Sequence, residues 1–199
     1  MSRPTRTIGE AAALSLPPAA PRAALHTRQV ECRGFRREDG LWDIEGHLVD
    51  TKAYPFANSF RGEIPPGEPL HDMWLRLTLD DSLQVQDVVA VTAAGPFAIC
   101  PVINAAFAKL KGLRIGKGWR REVLARLGGV QGCTHLVELL WPIATAAYQT
   151  IYPVLARERT EEPAHPPSHL DTCHALARDG EVVREHYPRW YTGDRSSTG

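Results

Sequence analysis

The sequence predicts an α+β fold, in which an antiparallel β-sheet from the N-terminal half packs against helices from the C-terminal half. Apolar and polar residues alternate with a period of two in several runs between residues 28 and 92, and turn-forming segments separate these runs. After residue 101 the apolar period becomes helical. No helical pattern lies between the predicted strands, so we expect hairpins rather than parallel crossovers.

The strands are predicted as two hairpins. The first joins residues 28–36 to residues 41–50 around Glu38-Asp39-Gly40, and the second joins 71–79 to 83–92 around Asp80-Asp81-Ser82. A short strand over 54–60 and a proline-rich loop over 65–69 are expected between them.

Helices are predicted over 101–110, 119–127 and 134–157. Pro142 and Pro153 interrupt the last pattern and should kink or divide that helix. Another hairpin is expected at Asp179-Gly180, with residues 181–184 in its second strand.

The length and composition predict one domain over residues 25–192. With 199 residues, 43% of them hydrophobic, the chain can bury one substantial core. We expect residues 1–24, rich in Ala, Pro and Arg, to form a disordered lead-in, residues 158–169 to form a surface linker, and residues 193–199 to form a flexible tail.

Charge and cysteine usage narrow the function classes. The 23 basic residues balance the 23 acidic ones, which argues against nucleic acid and anionic membranes as partners. The sequence shows neither an 18-residue apolar run nor a signal peptide, so a cytoplasmic location is expected. The four cysteines form no C-x-x-C pair, which favours reduced thiols that fill the core. A homo-oligomer is compatible with these features.

Three ionisable residues fall in phase with the apolar side of their strands. Asp50 follows Ile44 and Leu48 at even spacing, His71 precedes Met73 in the same way, and Asp87 is in phase with a run of valines. A His or Asp at a strand end more often caps a turn than catalyses a reaction. Buried ionisable groups nevertheless need polar partners.

The helix expected to cover the sheet carries a polar stripe on one face. Its members fall at helical spacing from the first turn onward: His135, Glu138, Pro142, Thr145 and Gln149. This stripe must meet water, a ligand or other polar groups, so we expect Thr145 and Gln149 to bind substrate.

The start of this helix is a candidate anion site. Thr134 is expected to be the N-cap. The partial positive charge of the helix end would lower the pKa of His135 and attract an anionic group of a substrate. We expect Cys133 and Thr134 to bind that group. Cys133 and His135 would point to different sides of a helix, so they form a nucleophile pair only if Cys133 precedes the helix proper.

Metal binding is an alternative role for the same residues. His71, His135, Glu138 and Asp50 make a conventional set of nitrogen and oxygen ligands. Their spacing matches neither H-E-x-x-H nor E-x-x-H, so the sequence favours acid–base chemistry without a cofactor.

The motifs of the chain resemble those of a bacterial family of unknown function. The resemblance rests on DGLWDIEG with the following DTK (residues 39–52), GEPLHDM (residues 67–73) and GCTHL (residues 132–136), and it extends from about residue 26 to residue 191, including LDTCH at 170–174. It implies no established catalytic residues. It suggests an association with enzymes that handle small organic or acyl compounds.

Two functions are therefore expected from the sequence. The first is an enzyme without a redox cofactor, a lyase, isomerase, cyclase or hydrolase, in which His71 and His135 act as acid and base and Asp50 or Glu138 orients them. The alternative is a ligand-binding protein or an accessory subunit of a partner enzyme, which predicts an exposed apolar patch.

Overall fold

The computed structural model describes residues 16–160 and 164–193. The chain divides into two compact units, the first ending at Tyr152 and the second beginning at Pro153. Most of the lead-in predicted over 1–24, most of the tail predicted over 193–199 and residues 161–163 of the predicted linker lie outside the described residues.

The first unit contains a four-stranded antiparallel sheet, as the alternation predicts. The strands are β1 (His26–Arg36), β2 (Trp42–Lys52), β3 (Phe56–Asn58), β4 (Gly62–Ile64), β5 (Pro69–Leu79) and β6 (Val85–Ala94). The sheet has the order β1-β2-β5-β6, and β3 and β4 pair separately as a two-stranded ribbon. The single strand predicted over 54–60 is thus shorter than expected, because a turn after Asn58 leads back into β4.

Helices follow the sheet in the chain, which confirms the α+β class. A 3₁₀ helix spans Cys100–Leu110, and α1 (Trp119–Leu127) and α2 (Thr134–Glu158) come next. Pro142 and Pro153 do not divide α2, because a proline inside a helix removes one backbone hydrogen bond and the flanking turns remain bonded. Among the described residues, every helix is too short or too polar to cross a bilayer.

The predicted hairpin at Asp179-Gly180 is wrong. The second unit instead has a short helix, α3 (Glu181–His186), between two 3₁₀ turns. Gly180 is extended and its carbonyl accepts a hydrogen bond from the Arg184 amide at 3.1 Å, so local helical bonds replace cross-strand pairing.

Alternation in the central strands builds the core of the first unit. Every second residue of β2 from Trp42 to Asp50 is buried, and the same face of β5 is buried from His71 to Leu79. The helices contribute the other side of the core, with these fully buried side chains among them: Phe107, Leu110, Val123, Leu127, Leu136, Leu139, Leu140 and Ile143.

The inward orientation predicted for Asp87 is wrong because β6 contains a β-bulge. Leu79 pairs with Val85 but Thr78 pairs with Asp87, so Gln86 is an extra residue that shifts the alternation by one position. Val85 is buried, whereas Asp87 and Val89 are exposed. Asp87 forms an ion pair with Lys111 at the surface.

Gly46 allows α2 to lie close against the sheet. A Cβ atom at Gly46 would stand 2.6 Å from Cδ1 of Ile143 and 3.0 Å from Cγ of Leu139, both on α2. A Cβ atom at Gly34 on β1 would likewise overlap the side chain of Thr150. At Gly46 there is therefore no room for a side chain, and the glycine sets how closely α2 approaches β2.

We predict that Gly46→Ala destabilises the protein by about 1–3 kcal/mol, because the added methyl group overpacks the contact with Ile143. Chemical denaturation monitored by circular dichroism measures the change. The double variant Gly46→Ala, Ile143→Val removes the Cδ1 methyl and should lose less stability than the sum of the single variants. Additive losses would contradict this account of the packing.

Candidate functional site

The buried carboxylate of Asp50 lies at the centre of a row of polar side chains. The strand register places Asp50 opposite Arg28 on β1 and opposite His71 on β5. Directly opposite residues of an antiparallel sheet share a face, so the three side chains lie side by side on the inner face. Asp50 is 2% exposed and His71 is 9% exposed.

Both oxygens of Asp50 accept hydrogen bonds from neighbouring strands. Arg28 donates from Nε to Oδ1 and from Nη2 to Oδ2, each at 2.8 Å. His26 Nε2 lies 3.0 Å from Oδ1, and His71 Nδ1 lies 3.0 Å from Oδ2. These contacts satisfy a buried charge that would otherwise be strongly unfavourable.

The partners of Asp50 keep it ionised. Burial by itself would raise the pKa of the carboxyl group, but the hydrogen bonds from Arg28 and His26 and the charge of Arg28 outweigh burial and lower the pKa to about 2. Asp50 is therefore a carboxylate at neutral pH.

This carboxylate fixes the tautomer of His71. An ionised carboxylate only accepts hydrogen bonds, so Nδ1 of His71 carries the proton and Nε2 of the neutral ring has a free lone pair. Burial, followed by the charge of His135, lowers the pKa of His71 below its usual range. The ring is thus neutral near pH 7 and suited to act as a base.

The first turn of α2 brings two more functional groups to this row. The ring of His135 stacks on that of His71, with centroids 3.9 Å apart and planes tilted by 33°. Glu138 Oε2 accepts a hydrogen bond from Nη1 of Arg28 at 2.7 Å. Residues three apart lie on one helix face, which explains why His135 and Glu138 meet the same strand row.

His135 is also held in its neutral form. Burial lowers its pKa most, and the charge of Arg28 lowers it further. Its Nε2 lies 4.0 Å from Oδ2 of Asp50. Two neutral imidazoles therefore face each other beside one carboxylate.

Cys133 precedes α2, which corrects the expectation that Thr134 is the N-cap. The carbonyl of Cys133 accepts the first helical hydrogen bond from Val137 at 2.9 Å, so Cys133 occupies the cap position and Thr134 is the first helical residue. The thiol of Cys133 is half-buried and lies 3.9 Å from Nδ1 of His135.

Thr145 and Gln149 do not join the cluster. Both are exposed, and a rise of about 1.5 Å per residue puts them about 15 and 21 Å along the helix from His135. The hydroxyl of Thr145 donates to the carbonyl of Trp141. The polar stripe therefore meets the sheet only at its N-terminal end.

The cluster also contains a set of metal-ligating atoms. Asp50, His71 and His135 each offer one such atom, and these atoms lie within 4.8 Å of one another. One carboxylate and two imidazoles suit zinc or iron. Arg28 already binds both oxygens of Asp50, so a cation would have to displace or share that contact.

A cleft of about 300 Å³ lies between α1 and the first turns of α2. Thr134, Glu138 and apolar side chains line it, and the guanidinium of Arg120 stacks on the ring of Trp141 at 4.7 Å. The cleft thus shares Glu138 with the polar network and has a cation at its edge.

Sequence reasoning missed two members of the cluster, Arg28 and His26. The signal for Arg28 was present, because a hairpin centred on Asp39 places residue 28 opposite residue 50. His26 lies two residues before Arg28 on the same face, so the same register would have identified it.

Comparisons with known proteins give a family without an assigned activity. Searches of curated proteins and of solved structures each found no match. The family described as "protein of unknown function (DUF2889)" matches residues 26–149, which include every member of the cluster. The chain therefore belongs to the DUF2889 family.

Proposed function

We propose that the protein is an enzyme that moves protons on a small organic or acyl compound without a redox cofactor. The observation that carries this proposal is the bond from His71 Nδ1 to the buried, ionised Asp50. This pair leaves Nε2 of His71 free to accept a proton, and it is the arrangement in which a carboxylate orients a general base.

His135 supplies the complementary acid in this proposal. Its ring stacks on His71, and the charge of a protonated His135 lowers the pKa of His71. At most one ring therefore carries a charge. The protonated ring gives its proton to the substrate while the neutral ring takes one from it, so the two rings have exchanged protonation states at the end of a turnover. Lyase, isomerase, cyclase and hydrolase reactions all use such a pair.

Arg28 and Glu138 position this pair. Arg28 bonds both oxygens of Asp50 and one oxygen of Glu138, and so it connects β1, β2 and α2. We assign Glu138 a positioning role, because its carboxylate is exposed and engaged by Arg28. In this proposal the protein binds a small molecule as its substrate. A cytoplasmic location stays a prediction.

Metal-assisted catalysis is the second candidate, favoured by the convergence of ligand atoms from Asp50, His71 and His135. A bound divalent ion would activate a water molecule or polarise a carbonyl group. Both chemistries use the same histidines, so metal content separates them.

The alternative function, an accessory subunit of a partner enzyme, is supported by an exposed apolar surface away from the histidine cluster. Phe60, Phe97, Ile99 and Val102 are each more than half exposed, and Phe60 and Phe97 line one concavity of about 360 Å³. Exposed apolar patches often bind partner proteins. This surface does not use the histidine cluster, so variants in the cluster distinguish the two functions.

We predict that His71→Ala and His135→Ala each lower turnover by about 100-fold or more, the usual effect of losing a general acid or base. Activity is measured on a panel of esters, thioesters, lactones and hydroxy acids, with thermal melting to verify folding. The control is His47→Ala, which removes a histidine that bonds Asp72 at 2.8 Å on the opposite face of the same strands. Equal losses in all three variants, or folded variants of the cluster with full activity, would refute the proposal.

We predict that the purified protein and its His71→Ala variant contain equally little transition metal, because Arg28 and His26 already engage the oxygens of Asp50. Inductively coupled plasma mass spectrometry measures the content. Near-stoichiometric zinc, iron or manganese that is lost in the variant would instead place His71 in a metal site and make metal-assisted catalysis the leading candidate.

The lowered pKa values of His71 and His135 predict a loss of stability on acidification. Below the usual imidazole pKa of 6.5 the unfolded chain binds protons that the folded cluster still excludes, so the free energy of unfolding falls as the pH falls. The melting temperature should drop between about pH 7.5 and about pH 5.5, and less so for a His71→Asn, His135→Asn variant. Asp50 stays ionised throughout this range. An unchanged pH dependence in the double variant would show that other groups cause the loss.

A further inference from the structure

We propose that Cys133 is a catalytic nucleophile that forms a thioester with an acyl substrate, with His135 as its base. This inference rests on the proposed function, since it uses the same cluster, and it narrows that function to acyl transfer. His135 then acts first as the base toward Cys133 and afterwards as the acid toward the leaving group.

The position of Cys133 removes the geometric objection to this pair. Two residues separated by two positions within a helix point to different sides. Cys133 lies before α2, as its carbonyl bond to the Val137 amide shows, so its side chain is free of the helical spacing. Its sulfur lies 3.9 Å from Nδ1 of His135, on the ring edge that can accept the thiol proton.

The other nitrogen of His135 faces a carboxylate. Nε2 of His135 lies 4.0 Å from Oδ2 of Asp50, so thiol, imidazole and carboxylate follow one another in that order. This is the order of a cysteine nucleophile, its base and the group that orients the base. Such contacts are longer before substrate binds and shorten in the reacting complex.

The surroundings of Cys133 differ from those of Cys32. Cys133 combines a histidine contact with a place at the start of a 25-residue helix, whose partial positive charge favours an anionic group of the substrate. At Cys32, by contrast, burial and the charge of Glu31 raise the pKa of the thiol. Cys173 is exposed in the second unit and serves as an internal reference.

The neighbouring cleft indicates the class of acyl group. Thr134, the residue after Cys133, lines it together with Leu124, Val137 and Trp141. Arg120 and Glu138, which carry opposite charges, line it as well. A volume of about 300 Å³ suits a small ligand. We therefore assign an ester or thioester whose acyl group is small and apolar.

The reaction balances with water as the second substrate. The proton of Cys133 moves to Nδ1 of His135, and the sulfur forms a bond to the acyl carbon. The bond from that carbon to the alcohol or thiol breaks, and the leaving group takes the proton from His135. Water then attacks the thioester carbon and gives one proton to His135, the carbon–sulfur bond breaks, and the thiolate recovers the proton as the free acid leaves.

Alkylation by iodoacetamide tests the pair without any substrate. Peptide mass spectrometry follows the rate at each cysteine near pH 6, where an ordinary thiol is almost entirely protonated. We expect Cys133 to react about tenfold or more faster than Cys173, and His135→Ala to remove this advantage. Equal rates at the two cysteines, or an unchanged advantage in His135→Ala, would overturn the proposal.

Trapping of the acyl-enzyme tests the nucleophile itself. Brief incubation with p-nitrophenyl acetate should add one acetyl group to Cys133 in the native protein and none at that peptide in Cys133→Ser, a variant of nearly unchanged volume. Acetylation that is equal at Cys133 and Cys173 would overturn the proposal.

The outcomes also separate this inference from the proposed function. A Cys133→Ser protein that stays folded and keeps full turnover, while His71→Ala loses turnover, would refute the nucleophile and leave proton transfer intact. Full turnover in both variants would refute the histidine mechanism.

Discussion

The structure of the site depends on the need to stabilise one buried carboxylate. Asp50 lies on β2, one of the two central strands, where Arg28 compensates its charge and His26 and His71 form hydrogen bonds with its oxygens. Removing a partner from such a cluster leaves a costly unpaired charge. The hydrogen bond between Asp50 and His71 both stabilises the buried carboxylate and sets the tautomer of His71. The stability of the fold and the proposed role of His71 as a base therefore depend on the same contact.

The two faces of the sheet show what burial adds to a His–Asp pair. On the outer face His47 bonds Asp72 at 2.8 Å and stacks on Trp74 at 3.6 Å. This pair resembles His71 and Asp50 in composition, but it is only half-buried. On the inner face α2 excludes water, which lowers the pKa of His71 and strengthens every polar contact. Coverage by the helix therefore distinguishes the candidate site from a surface pair.

Close packing of α2 on the sheet gives the cluster its geometry. The absence of a side chain at Gly46 lets Leu139 and Ile143 approach β2. His135 lies one turn before Leu139, so this contact determines how near the imidazole comes to Asp50. The end of the helix also places Cys133 outside the regular turn, where its thiol meets His135. The close approach of α2 to β2 and the position of His135 are thus linked through a single helical turn.

The sequence by itself determined the antiparallel strands, the helices at 119–127 and 134–157 and the inward faces of Asp50 and His71, because periods of two and 3.6 are local properties. It also contained the hairpin register that pairs Arg28 with Asp50, although that signal was missed. Only the tertiary structure decided that Asp87 turns outward, that Thr145 and Gln149 stay outside the cluster, and that Cys133 faces His135. A bulge depends on pairing with the next strand, and the angle at which a helix docks depends on contacts distant in sequence, so neither is specified by local spacing.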